Sequence, residues 1–150
     1  MTHHRIPGAL RPLLGLLVIG LVAISCTSAD AKPAELGASC DQFGAQKSIT
    51  QTTEVAVGDL LKVTLCSNPS TGFSWQAPSI SDLAVIAFVD KTFSAAPAGG
   101  TVPVVGAAGT EAITLKATAK GTSIVVLRYS QPWPGGISGE WTYTLTVTVR

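Results

Sequence analysis

Usable histidine is missing from this sequence. The 150-residue chain has two, His3 and His4, and both precede an apolar run at residues 13–24, LLGLLVIGLVAI. With Arg5 and Arg11 ahead of it, that run has the layout of an export signal, so the expected mature chain has no imidazole. Ser-His-Asp and Cys-His catalysis are thereby excluded, along with the commonest metal ligand. Charge is also scarce: 13% of residues are charged and the formal net charge is +1. Two of the cations belong to the signal, and no basic patch is left for nucleic acid. The acids Asp41, Glu54, Asp59, Asp82, Asp90, Glu111 and Glu140 occur singly, so no local carboxylate cluster suggests calcium or paired acid–base work. No glycine-rich phosphate loop opens a helix. A chain with no expected metal or cofactor, and no base titrating near neutrality, is not expected to be an enzyme.

The apolar run is too short to span a bilayer comfortably. It ends at Ala23-Ile24-Ser25-Cys26, which resembles a bacterial lipobox, and polar Thr27 and Ser28 follow directly. The expectation is a signal peptide over residues 1–25 and a lipid anchor on Cys26 at the outer face of a bacterial membrane. Ala29-Asp30-Ala31 is a rival: an A-x-A pattern whose cleavage after Ala31 would release a soluble secreted protein. Residues 26–45, rich in Ala, Ser, Gly and Pro without periodicity, read as a tether. The folded domain is expected over 46–150. Cys40 and Cys66 are the other two cysteines, and an even pair in an exported chain reads as a disulfide. Two unpaired buried thiols are the alternative. Alternation places Cys66 on the outer face of its strand, with Lys62 and Thr64, where a segment carrying Cys40 could cross it.

From residue 46 onward, short runs of Val, Ile, Thr and aromatic residues alternate with Gly, Pro, Asn and Ser. This pattern predicts an all-β, immunoglobulin-like sandwich of about seven to eight strands with no amphipathic helix. Strands are expected near 48–56, 60–67, 73–77, 83–90, 110–118, 122–130 and 140–149. In the last, Trp141, Tyr143, Leu145, Val147 and Val149 alternate with four threonines, so one face is buried. Ile124 to Leu127 is apolar at every position, which predicts a central strand. Nothing suggests an obligate dimer, and a monomer is expected.

Three loops stand out. The first contains Asn68, Pro69, Ser70, Thr71, Gly72 and Phe73, in which Asn68 is the chain's only asparagine, Pro69 fixes φ and Gly72 can take positive φ. The second is the glycine-rich stretch at 95–110, ending in Gly106, Ala107, Ala108 and Gly109. The third begins Gln131, Pro132, Trp133 and holds a tryptophan between two prolines, a placement typical of binding anchors. Trp75 and Trp141 lie on strands and are assigned to the core.

These three loops, in this order, resemble those of the chagasin family of cysteine protease inhibitors. Members carry an Asn-Pro-Thr-Thr-Gly-aromatic loop, a Gly-x-Gly-Gly loop and an Arg-Pro-Trp loop. Here Ser70 replaces the first threonine, Ala108 a glycine and Gln131 the arginine. The resemblance spans roughly residues 49–149. It implies reversible, non-covalent inhibition of papain-like cysteine proteases: residues 68–73 would enter the catalytic cleft, flanked by 106–110 and 131–136. A cell-surface sandwich that binds some other partner or mediates adhesion is the alternative.

Overall fold

The computed structural model describes Met1, residues 35–96 and residues 106–150. The expected signal, Cys26 and the Ala31 cleavage site lie outside the described residues. Among those described, nine strands form two sheets, accompanied by one short α-helix. The strands are β1 (Leu36–Ala38), β2 (Ser48–Val55), β3 (Leu60–Ser67), β4 (Ser74–Trp75), β5 (Ser79–Ile80), β6 (Ile86–Ser94), β7 (Gly109–Ala117), β8 (Gly121–Ser130) and β9 (Trp141–Val149). One sheet has the order β1-β3-β7-β6 and the other β2-β9-β8-β4, with β5 also on β8. The pairing of β2 with β9 is parallel, whereas β3–β7 and β8–β9 are antiparallel. The fold is an immunoglobulin-like β-sandwich.

The period-two pattern builds the core between the sheets. Leu61, Val63 and Leu65 of β3 and Ile113, Leu115 and Ala117 of β7 bury one face. Val125, Leu127 and Tyr129 of β8 meet them, together with Tyr143, Leu145, Val147 and Val149 of β9. Burial pushes the Tyr143 phenol up to about 12, the Gly37 amide opposing; its hydroxyl donates to Gln51. β8 lies centrally in its sheet, but its continuous apolar run is not buried on both faces, since Ile124 is 45% exposed.

The structure departs from the expected strands at three places. Of residues 73–77 only Ser74–Trp75 is strand; residues 76–78 separate it from β5, and Pro78 among them has no N–H to offer the ladder on β8. The strand expected at 83–90 runs instead from Ile86 to Ser94. Asp82 delays it, its carboxylate accepting from Ala84 N (2.9 Å) and its carbonyl from Ile86 N (3.1 Å), which closes a turn. β6 then carries a bulge between Phe88 and Asp90, a device that discourages pairing at an exposed edge.

The third departure is at the N-terminal side. The tether expected through residue 45 is, from Leu36 onward, part of the fold. β1 pairs in parallel with β3, Leu36 beside Val63 and Ala38 beside Leu65. A helix, α1 (Cys40–Ala45), follows behind a capping box in which Ser39 Oγ accepts from Gln42 N and Gln42 Oε1 accepts from Ser39 N. Phe43 on this helix is fully buried. Cys40 is joined to Cys66 by a disulfide with the Cα atoms 5.0 Å apart. Cys66 is 2% exposed, so the outward position its alternation gives it is roofed by the crossing segment. No helix among the described residues is long and apolar enough to cross a membrane.

Candidate functional site

The connection from β3 to β4 is built around Asn68. It caps a single 3-10 turn, Pro69–Thr71, through Oδ1, which accepts from Ser70 N (3.3 Å) and Ser70 Oγ (2.6 Å). The Asn68 carbonyl accepts from Thr71 N (3.1 Å) and Thr71 Oγ1 (2.6 Å). Its own N–H donates to the Tyr129 hydroxyl at 2.7 Å. Pro69 supplies the fixed φ at the first turn position, and Gly72 ends the turn at φ 80°, ψ −1°, where a side chain would be strained. Pro69, Ser70 and Thr71 are exposed, whereas Gly72 and Phe73 are half-buried. The backbone at the tip is thus shaped by the loop's own groups.

The other two loops touch this one. The Asn68 amide nitrogen donates to the Gly106 carbonyl at 3.0 Å, which ties the stretch before β7 to the turn. On the other flank the Trp133 indole covers Gly72, where a β-carbon would collide with the ring. Trp133 remains 48% exposed, so one part of the indole rests on the turn while the rest faces solvent. Its loop is closed by Gln131, whose N–H donates to Ile137 O (2.8 Å) and whose Oε1 accepts from Ile137 N (3.1 Å). Gly136 N donates to Trp133 O at 3.0 Å. Pro132 and Ala107 are exposed, and Ala108 packs against the core. Gly109 starts β7 where a β-carbon would meet the Ser94 carbonyl and the Phe93 ring; its part is to let strands approach.

Beneath the turn lies a stack of aromatic rings that sequence reading did not assemble. Phe73 stacks on Tyr129 (5.4 Å), Tyr129 on Trp141 (4.8 Å) and Trp141 on Phe43 (5.0 Å), with Trp75 tilted against Tyr129 and Phe43. A buried carboxylate joins the two stems. Glu111, 3% exposed, accepts from Ser67 Oγ (2.7 Å) at the end of β3 and from Trp75 N (3.5 Å) in β4. Its second oxygen faces the Lys91 ammonium at 3.2 Å. Trp75 Nε1 donates to Cys66 O at 2.9 Å. Removing Lys91, itself partly exposed, would leave the buried Glu111 carboxylate without its counter-charge. Glu111 read in sequence as an isolated acid, because its partners lie 44 and 36 residues away. The inward alternation of β7 was the available signal. Among the described residues no group of three His, Cys, Asp or Glu could hold a metal.

The site is therefore three loops at one end of a sandwich, joined by an amide–carbonyl bond on one flank and a ring contact on the other. It displays a rigid turn and an indole, with no ionisable group on the tips. Comparison with known proteins gives it relatives. A family model described as chagasin family peptidase inhibitor I42 matches residues 54–147. Amoebiasin-2 of Entamoeba histolytica is 30% identical over 105 residues, 70% of this chain and 82% of that protein. Chagasin of Trypanosoma cruzi is 37% identical over 91 residues, 56% of this chain and 76% of that protein. The crystal structure of EhICP2, a cysteine protease inhibitor from Entamoeba histolytica, aligns with a TM-score of 0.56 at 29% identity, covering 69% of this chain and 94% of that one. The chain belongs to the chagasin family of peptidase inhibitors.

Proposed function

We propose that this domain is a reversible, non-covalent inhibitor of papain-like cysteine proteases, with residues 68–73 entering the catalytic cleft and residues 106–110 and 131–136 gripping its walls. The observation that carries the reading is the joining of the three loops before any partner arrives, Asn68 to Gly106 on one side and Gly72 under Trp133 on the other. A cleft built for an extended peptide would receive a proline-braced turn whose backbone presents no scissile bond in attack geometry. Thr71 and Gly72 would lie beside the catalytic cysteine, and the free part of the Trp133 indole would stack on aromatic surface of the protease. Because little ordering entropy remains to be lost, such a scaffold supports tight binding through a standard interface of roughly 1,600 Å².

The test is titration of the purified domain against papain and a cathepsin L-like enzyme. Competitive inhibition, reversed on dilution and with the inhibitor recovered uncleaved, is expected. Thr71→Arg, which places a long cation where the turn meets the cleft, should weaken it by three orders of magnitude or so, since a buried unpaired charge costs several kcal/mol. No inhibition by the unmodified domain at micromolar concentration would sink the proposal.

Export with a lipid anchor on Cys26, and a monomeric state, belong to the same proposal. Support for an oxidising compartment comes from the Cys40–Cys66 bridge. Mass spectrometry of the mature N-terminus separates the two processing routes: a diacylated Cys26 on one, an unmodified Lys32 on the other.

A further inference from the structure

The three loop tips carry no ionisable side chain, yet a cation stands just below them. Arg128 lies on the outer face of β8, opposite Thr142 of β9, three residues before Gln131. It lines a crevice of about 240 Å³ with Gln76, Ser130, Gln131, Pro132 and Ser138, at the root of the Trp133 loop. A β-carbon built on Gly139 would sit 3.9 Å from Arg128 Cδ, so the side chain leans toward the loop end of the sheet. The other polar groups of the crevice are largely engaged. Gln76 Nε2 donates to Ser74 and to the Ser130 carbonyl, Ser130 Oγ accepts from Gly139 N, and Gln131 Oε1 accepts from Ile137 N. The Arg128 guanidinium, by contrast, has no ion pair or hydrogen bond among the described residues. Glu140, just before β9, is already paired with Lys47.

We infer that Arg128 is a specificity contact of the inhibitor, extending the three-loop face down β8 to engage a carboxylate on the rim of the target protease's cleft. The inference rests on the inhibitor reading given above. A guanidinium offers a planar fork of donors suited to a carboxylate, and its position in the crevice with Pro132, at the root of the loop that carries the exposed Trp133, puts it where a protein bound to the loops would extend. A polyphosphate backbone would need several such cations to bind well, and here there is one. A single rim charge acts chiefly on association rate and on its dependence on salt. Proteases with an acidic residue at that rim are therefore the preferred targets.

The experiment measures inhibition constants of the unmodified domain, R128Q, R128K, T71R and the control K62Q against a panel of papain-like proteases, at low and at high sodium chloride. For the protease inhibited most strongly, R128Q should raise the inhibition constant about fivefold at low salt and flatten its salt dependence. R128K should keep the salt slope and part of the affinity, and K62Q, an exposed cation on the other sheet, should change neither. Unaltered inhibition and salt slope for R128Q across the panel would overturn the inference while leaving the inhibitor reading intact. If the unmodified domain inhibits nothing, or T71R inhibits equally well, the inhibitor reading fails and this contact fails with it.

Discussion

The loop at 68–73 and the loop at 131–139 are both stiff, but they reach stiffness by different routes. The first is held through Asn68, whose amide oxygen and carbonyl accept from Ser70 and Thr71 within the loop while its amide nitrogen and N–H donate to Gly106 O and the Tyr129 hydroxyl. The second is closed at its root by Gln131 and Ile137, while its exposed indole lies between Gly136 of its own loop and Gly72 of the first. Shape at the tip is thus set locally in one loop and partly borrowed in the other. Damage to the first should spread to the second, and damage to the second should stay where it is made.

Asn68→Ala tests the local half of that contrast and should have the larger effect. It removes the bonds to Gly106 O, Ser70 N and Ser70 Oγ. At about 1 kcal/mol net for each, the loss is roughly 3 kcal/mol, or on the order of 100-fold in the inhibition constant. The indole should also lose its seat, visible as a shift in Trp133 fluorescence in a protein where the other two tryptophans stay fixed. An unchanged inhibition constant would show that the turn does not depend on Asn68.

Gly72→Ala comes next, at about 30-fold: it adds left-handed strain of roughly 1–2 kcal/mol and pushes the indole away. Trp133→Ala alone should cost about tenfold, in the range of an exposed aromatic anchor. The informative measurement is the double variant. If the ring rests on Gly72, then Gly72→Ala should cost less in the Trp133→Ala background than in the unmodified protein, because the collision has gone and only backbone strain remains. Strict additivity would mean that the two loops do not touch in solution.

How much of this was legible in sequence follows the range of the interactions. The main sandwich strands were, because period-two alternation in residues such as Tyr143, Leu145 and Val147 is a local signal. So was the turn, since Pro69 and Gly72 announce their backbone angles. What escaped depended on partners far along the chain. The Glu111 bridge between loop stems and the ring stack running to Phe43 could be found only once the strands were in register. The segment carrying Phe43 lies ahead of the family match at 54–147, and its composition alone reads as a tether. Ser39 and Gln42 spell a capping box there, and that pattern was the overlooked sign of α1.

The smallest effect bears on the second loop, and it is the cleanest test of confinement. Chagasin-like loops resemble this one except for an arginine where this chain has Gln131. Arginine has no acceptor, so Gln131→Arg would leave the Ile137 N–H without its 3.1 Å partner while sparing the backbone bond from residue 131 to Ile137 O. An exposed bond of this kind is worth about 0.5–1 kcal/mol, which limits the change in inhibition to roughly two- to fivefold. Amide exchange at Ile137 should quicken by a similar factor. Exchange at Thr71 and Gly72, whose N–H groups donate to Asn68 O and Pro69 O within the first loop, should not move. If those two amides quicken along with Ile137, stiffness is shared between the loops and the contrast drawn between them fails.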